Sequence, residues 1–166
     1  MPRTEFLLIG LLACSSPTPR ASQHSSAASD DSAFALVQSR GHTAMGVDQY
    51  TSSHRFEPLP DGGRITLQRD QDDSAGTAQI RAHMRKIAAA FAAGDFALPG
   101  FVHDQEVPGT IVMAARRSRI SYTTDTVPRG GSVRIQSDDS TAIAAVHQFL
   151  SFQRRDHRSS HGEGSH

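Results

Sequence analysis
The sequence predicts an α+β fold in which duplicated ββα units form a largely antiparallel four-stranded sheet with two helices on one face. Three observations carry that expectation. First, two hairpin patterns share the string Pro-x-Gly-Gly-x-(Ile/Val)-x-(Leu/Ile)-Gln-x-Asp. Pro60, Gly62, Gly63, Ile65, Leu67, Gln68 and Asp70 recur 68 residues on as Pro128, Gly130, Gly131, Val133, Ile135, Gln136 and Asp138. Second, each hairpin is followed by apolar residues at helical spacing: Ile80, His83, Met84, Ile87 and Phe91, then Ile143, Val146, His147 and Leu150. Third, 166 residues give room for one sizeable core rather than two.

The elements follow in order. Arg3, the apolar run from Phe6 to Ala13 and the small residues after it read as an export signal, too short to span a bilayer. Leu11-Leu12-Ala13-Cys14 resembles the lipobox of bacterial lipoproteins. That likeness implies diacylation of Cys14 and, because Ser15 rather than aspartate follows, placement in the outer membrane facing the periplasm. The alternative is a plain secretory signal whose cysteine is incidental. Residues 1–14 are thus expected to be the signal, and residues 15–33, rich in Ser and Ala without apolar periodicity, a disordered tether. A single domain is expected over residues 34–158, followed by a flexible histidine-containing tail at 159–166.

Within the domain, Phe34-Ala-Leu-Val37 is an apolar run of either type, and 41–46 reads as loop. The ββα units are expected at about 53–95 and 119–157. Alternation in His54-Arg-Phe56 and Arg64-Ile65-Thr-Leu67, around Pro60-Asp-Gly-Gly63, marks a hairpin whose glycines serve the turn. Asp73 or Ser74 caps a helix running to Gly94. Pro99-Gly100 and Pro108-Gly109 break the stretch from Phe96 to Ser118 into a connecting loop, with Ile111-Val-Met113 a helix turn or a strand. The second hairpin then leads into the helix carrying His147. The two apolar stripes align at an offset of 63, implying about five extra residues before the first helix.

Seventeen basic and seventeen acidic residues leave no electrostatic footprint for nucleic acid. The one cysteine excludes an intramolecular disulfide. No nucleophile elbow, P-loop or dinucleotide fingerprint is present, so catalysis is not expected. Asp104 and Glu106 are candidate paired carboxylates, more simply read as solvated loop acids, and Arg116, Arg117 and Arg119 as a solvated face.

Nine histidines are the clearest chemical bias. His54 alternates in phase with Phe56 and so faces the core; His83 and His147 lie on the helix stripes; His103 sits in the connecting loop; His157 returns to the second stripe if that helix runs so far. Each can be structural, hydrogen-bonded to a carbonyl or carboxylate. Together, His54, His83, His103 and His147 are the candidate ligands of a transition metal or haem. Imidazole suits copper, zinc, nickel and haem iron, with Met84 and Met113 as soft donors.

The stretch from His83 to His157 resembles a family of small, uncharacterised exported bacterial proteins. The likeness rests on His83-Met, Gly94-Asp-Phe96, His103-Asp, Pro108-Gly, Ile120-Ser-Tyr122, Gly130-Gly-Ser-Val-Arg-Ile135 and Ala145-Val-His-Gln-Phe-Leu-Ser-Phe-Gln153 with Asp156-His157. Members are sometimes labelled aspartate carbamoyltransferase. The residues do not support that label: the Ser-Thr-Arg-Thr carbamoyl-phosphate motif is absent and the chain is short for that two-domain enzyme. The expectation is therefore a periplasm-facing lipoprotein that stores or senses a metal or haem. The rival is a metal-free module with structural histidines that binds an envelope protein or a small ligand.

Overall fold
The computed structural model describes residues 23–46 and 48–159. Cys14 and the signal, the first half of the expected tether, and His161 and His166 lie outside them. Among the described residues, no helix is long and apolar enough to cross a membrane.

Four strands, β1 (Ser52–Leu59), β2 (Gly62–Arg69), β3 (Ile120–Val127) and β4 (Gly130–Ser137), form one antiparallel sheet in the order β1-β2-β4-β3. Helices α2 (Ser74–Ala92) and α5 (Ser140–Asp156) pack on the face that carries Phe56, Ile65, Leu67, Val133 and Ile135. Each begins at an aspartate whose carboxylate accepts backbone N–H groups of the first turn. Asp73 accepts from Gly76 at 2.9 Å, and Asp139 from Thr141 at 2.8 Å.

The central pair has an internal symmetry. In the β2-β4 register Gly62 pairs with Gln136 and Gln68 with Gly130, so Ile65 pairs with Val133, the residue 68 positions on. A pseudo-twofold axis through that pair exchanges the hairpins. The helices are exchanged as well: α2 packs chiefly on β3 and β4, and α5 on β1 and β2. Each helix therefore covers the other unit's hairpin.

The Gly-Gly pairs directly follow the turn residues, and of the four glycines Gly62 takes the positive φ, 137°, that the sequence predicts for a turn glycine. The turns are Pro60-Asp61 and Pro128-Arg129, and the glycines open the following strands. Their reason is close approach. A Cβ at Gly62 would lie 2.3 Å from the Ile135 carbonyl oxygen, and one at Gly130 2.0 Å from that of Leu67. One position on, a Cβ at Gly63 would meet Leu150 of α5, and a Cβ at Gly131 would meet Met84 of α2. The pairs thus let the central strands meet and seat one helix each.

That seating corrects the helix alignment. Met84 and Leu150 are equivalent, as are Asp73 and Asp139, so the helices relate by an offset of 66 rather than 63. The first unit has two residues more before its helix, not five.

Two further expectations change. Helix α1 (Gln23–Met45) occupies the second half of the expected tether and the expected loop at 41–46. Val37, Gln38 and Gly41 are buried, a helical spacing set by packing on α3 (Ala97–His103) and the 3-10 turn Gln49–Thr51. The connecting stretch holds α3 and α4 (Thr110–Ala115), so Ile111-Val-Met113 is helical. Pro99 is accommodated in the first turn of α3, where its missing N–H would have had no helical acceptor. Gly109 brings α4 onto the α5 backbone: a Cβ there would fall 2.2 Å from the Ala145 carbonyl oxygen.

Candidate functional site
Between α2 and α5, over the part of the sheet that carries His54, Phe56 and Ile65 and with α1 and α3 as further walls, lies a cavity of about 80 Å³. His54, His83, His103 and His157 line it, with Met45, Met84, Gln49 and Gln153 among mainly apolar neighbours such as Phe56, Phe91 and Leu98. Three of the four histidines proposed from the sequence are therefore brought together. His157, reached because α5 runs to its last turn, is the fourth member.

His147 does not join them. Its Nε2 donates to the Leu59 carbonyl oxygen at 2.9 Å, which ties α5 to the end of β1. At the offset of 66 its equivalent is Arg81, whose guanidinium donates to the carbonyl oxygens of Val127 and Gly130. Val127 is the counterpart of Leu59 in the second hairpin. His147 is thus one of two symmetry-related clasps, and it leaves the ligand set. Met113 is fully buried in the core away from the cavity lining, whereas Met45, with no counterpart among the sequence candidates, is on the wall.

His103 is the most tightly held ring. It is buried, its Nδ1 donates to the Asp156 carboxylate, and its Nε2 lies 2.8 Å from the Gln153 side-chain oxygen. With a carboxylate accepting from Nδ1, the second contact is a hydrogen bond if Nε2 is protonated or if the Gln153 amide is turned to donate. Either way both nitrogens are engaged. His103 fixes α3 against the end of α5 and stands edge-on to His157, ring centroids 5.1 Å apart.

His157 stacks on His54 at 4.8 Å and on Phe56 at 5.5 Å. Its Nδ1 is buried and has no hydrogen-bond partner among the described residues. Burial, then the neighbouring His54 and His103, hold its pKa well below the usual imidazole value. Burial, then His83, lowers His54 to about 4; burial, then Lys86, lowers His83 to about 4. All three are neutral rings at pH 7, each keeping one N–H and offering one nitrogen lone pair.

The pseudo-twofold supplies a control for this cluster. In the other half, the positions equivalent to His54 and His157 are Tyr122 and Phe91, which meet edge to face with centroids 5.9 Å apart. The fold therefore fills this slot with an aromatic pair at one end of the sheet and an imidazole pair at the other.

As placed, no three His, Cys, Asp or Glu side chains among the described residues converge on one point. The cavity is far below the roughly 300–1,000 Å³ of pockets for drug-sized ligands. A porphyrin does not fit it, and the expectation of haem is set aside. An ion or a molecule of a few atoms has room. The remaining acidic candidates are solvated: Asp104 and Glu106 are exposed, and Asp104 pairs with Arg40 at 2.8 Å. Arg116 and Arg119 pair with Asp139 and Asp138 on the surface. No protein-family model, curated protein or solved structure matches the chain.

Proposed function
We propose that the protein is an exported binding protein, anchored to the envelope through Cys14, that holds a transition-metal ion in the cavity between α1, α2, α3, α5 and β1. Its role is storage or sensing rather than catalysis, and its ligand set is drawn from His54, His83 and His157. His103 is a positioning residue, clamped by Asp156 and Gln153 and holding the end of α5 in place.

The observation that carries this reading is the imidazole pair itself. A ring pair at that slot is needed for packing, but the other half meets the need with Tyr122 and Phe91. Two imidazoles bring four ring nitrogens to a slot where Tyr122 and Phe91 bring one hydroxyl; the His157 Nδ1, like the Tyr122 hydroxyl, is buried with no hydrogen-bond partner among the described residues. A metal ion takes neutral imidazole nitrogen, the form these rings adopt. The rival reading, a metal-free envelope module, draws on the absence of a converging three-donor group among the described residues and on the saturated partners of His103 and His147.

Elemental analysis separates the two. Full-length protein in detergent, incubated with copper, zinc or nickel and then dialysed, is expected to retain one ion per chain. The His54→Tyr/His157→Phe variant is expected to retain none. Equal retention by both proteins, or none by either, contradicts the proposal. The anchor is tested separately: Cys14→Ser is expected to release the protein from membranes, and unchanged membrane association would contradict that part.

A further inference from the structure
The pseudo-twofold relates the two outer strands, β1 and β3, and their exposed edges are finished differently. Hydrogen bonds at the strand ends fix which way the backbone groups point. The Asp70 N–H donates to Thr51, on the β1 side, whereas the Arg69 N–H donates to Arg129 and the Ser137 N–H to Asp61, across the central pair. Alternation then turns the backbone groups of Ser52, His54, Phe56 and Pro58 outward on β1, and those of Ile120, Tyr122, Thr124 and Thr126 outward on β3.

On β1 the edge is blocked. Pro58 has no N–H to offer, and Arg55 and Glu57 place charges beside it, devices that keep sheet edges from pairing. The equivalent residues of β3 are Thr126, Thr123 and Asp125, in a run of β-branched residues with one charge. Its Ile120 N–H donates to the Arg117 carbonyl and its Thr126 N–H to the Asp125 carboxylate, at 2.7 Å. Tyr122 and Thr124 are left with outward N–H groups that no described residue meets. The helices repeat the contrast. On the β3 side of α2, Arg85 lines a groove with Thr124 and Asp125, and the helical phase places Ala88, Ala89 and Ala92 beyond it. The equivalents of those alanines, 66 residues on, are Arg154, Arg155 and Arg158, the last paired with Asp31 of α1 at 2.8 Å.

We propose that β3 pairs antiparallel with β3 of a second copy of this chain, about a twofold axis at Thr123, joining the two four-stranded sheets into one. At that register Tyr122 faces the second copy's Thr124, so each open N–H meets an open carbonyl, and Asp125 faces Ser121 rather than another acid. Strands lie about 4.8 Å apart, so a helix centred over the β3-β4 pair stands about 10 Å from its symmetry mate, an ordinary helix-packing distance that alanine side chains permit. The histidine cavity opens on the other side of α2, at His83 and Ile87, and is left free.

The test is sedimentation velocity of the full-length protein in density-matched detergent, with disulfide capture as a second readout. Thr123→Arg/Thr126→Pro gives β3 the residues that β1 carries at the equivalent positions, so the fold is retained, which circular dichroism checks. The expected result is a dimer in the unsubstituted protein, with a dissociation constant at least about tenfold higher in the double variant. Thr123→Cys should give a disulfide-linked dimer on mild oxidation, since the two Cβ atoms face each other at the axis. Arg55→Cys, its pseudo-equivalent, should not, Cys14 being common to both. A monomeric parent, a dimer equally tight in the folded double variant, or capture that does not prefer Thr123→Cys over Arg55→Cys overturns the proposal.

Discussion

The two halves of the sheet are built alike and finished differently. At one end α2 crosses β3 and β4, with Phe91 against Tyr122 and Phe96 in an aromatic cluster that continues into Phe149 and buries the Tyr122 hydroxyl without a partner among the described residues. At the other, α5 crosses β1 and β2, and the same slots hold His157 and His54, facing a cavity that Phe91 also lines. The clasps differ in chemistry but not in role, Arg81 in one half and His147 in the other. The contrast shows which histidine the fold needs for itself. His147 has a packing counterpart with the same hydrogen-bonding task, whereas His54 and His157 replace rings that pack without buried nitrogens.

The comparison can be broken most severely at the element both halves share. Gly130→Ala places a Cβ against the Leu67 carbonyl oxygen in the central strand pair, where neither backbone can yield without disturbing the ladder. A loss of about 3 kcal/mol or more is expected in denaturant unfolding, and Gly62→Ala, which adds a positive φ of 137° to the same backbone clash, should lose at least as much. If one glycine tolerates alanine and the other does not, the symmetry of the central pair is less than the register implies.

A second effect belongs to the histidine half alone. His54, His83 and His157 have folded-state pKa values below the ordinary imidazole value of 6.5. Below about 6.5 the unfolded chain therefore binds more protons than the folded one, and stability falls as pH drops from there toward about 4; above 6.5 these groups add no slope. Melting temperature followed across that window should decline. The decline should be shallower in the His54→Tyr/His157→Phe variant, which retains only His83 among the three. An identical slope in both proteins would place the acid sensitivity elsewhere.

The smallest effect is expected at the clasp. His147→Ala removes one hydrogen bond to the Leu59 carbonyl and should cost about 1 kcal/mol without changing metal retention. Loss of metal from this variant would return His147 to the site.

How far the sequence reveals this arrangement differs between the sheet and the site. Period-two alternation and the repeated Gly-Gly string expose both hairpins and their 68-residue relation, because strand faces and close backbone approaches leave fixed marks on sequence. The helix alignment is less sharply marked for a physical reason: an i, i+3, i+4, i+7 stripe nearly superposes on itself when slid by three residues. An offset of 63 therefore looks as good as the true 66. That slip set His147 beside His83 in the candidate site instead of beside Arg81 in the clasp. Helix α1 leaves little periodic trace in the sequence because the face it buries, at Val37, Gln38 and Gly41, is small and partly polar. His157 was visible on its stripe, but its pairing with His54 depends on α5 crossing the first unit's hairpin, which no local pattern encodes.

The central claim is that the imidazole pair is retained for a ligand at the expense of packing that the other half achieves with Tyr122 and Phe91. Thermal unfolding of the unsubstituted protein and of His54→Tyr/His157→Phe, each with and without added copper, tests it most directly. A ligand that binds only the folded state raises its stability. The account predicts that the variant is at least as stable as the metal-free parent, and that copper raises the melting temperature of the parent alone. A variant markedly less stable than the parent, with copper shifting neither, would make the histidines structural and contradict the account.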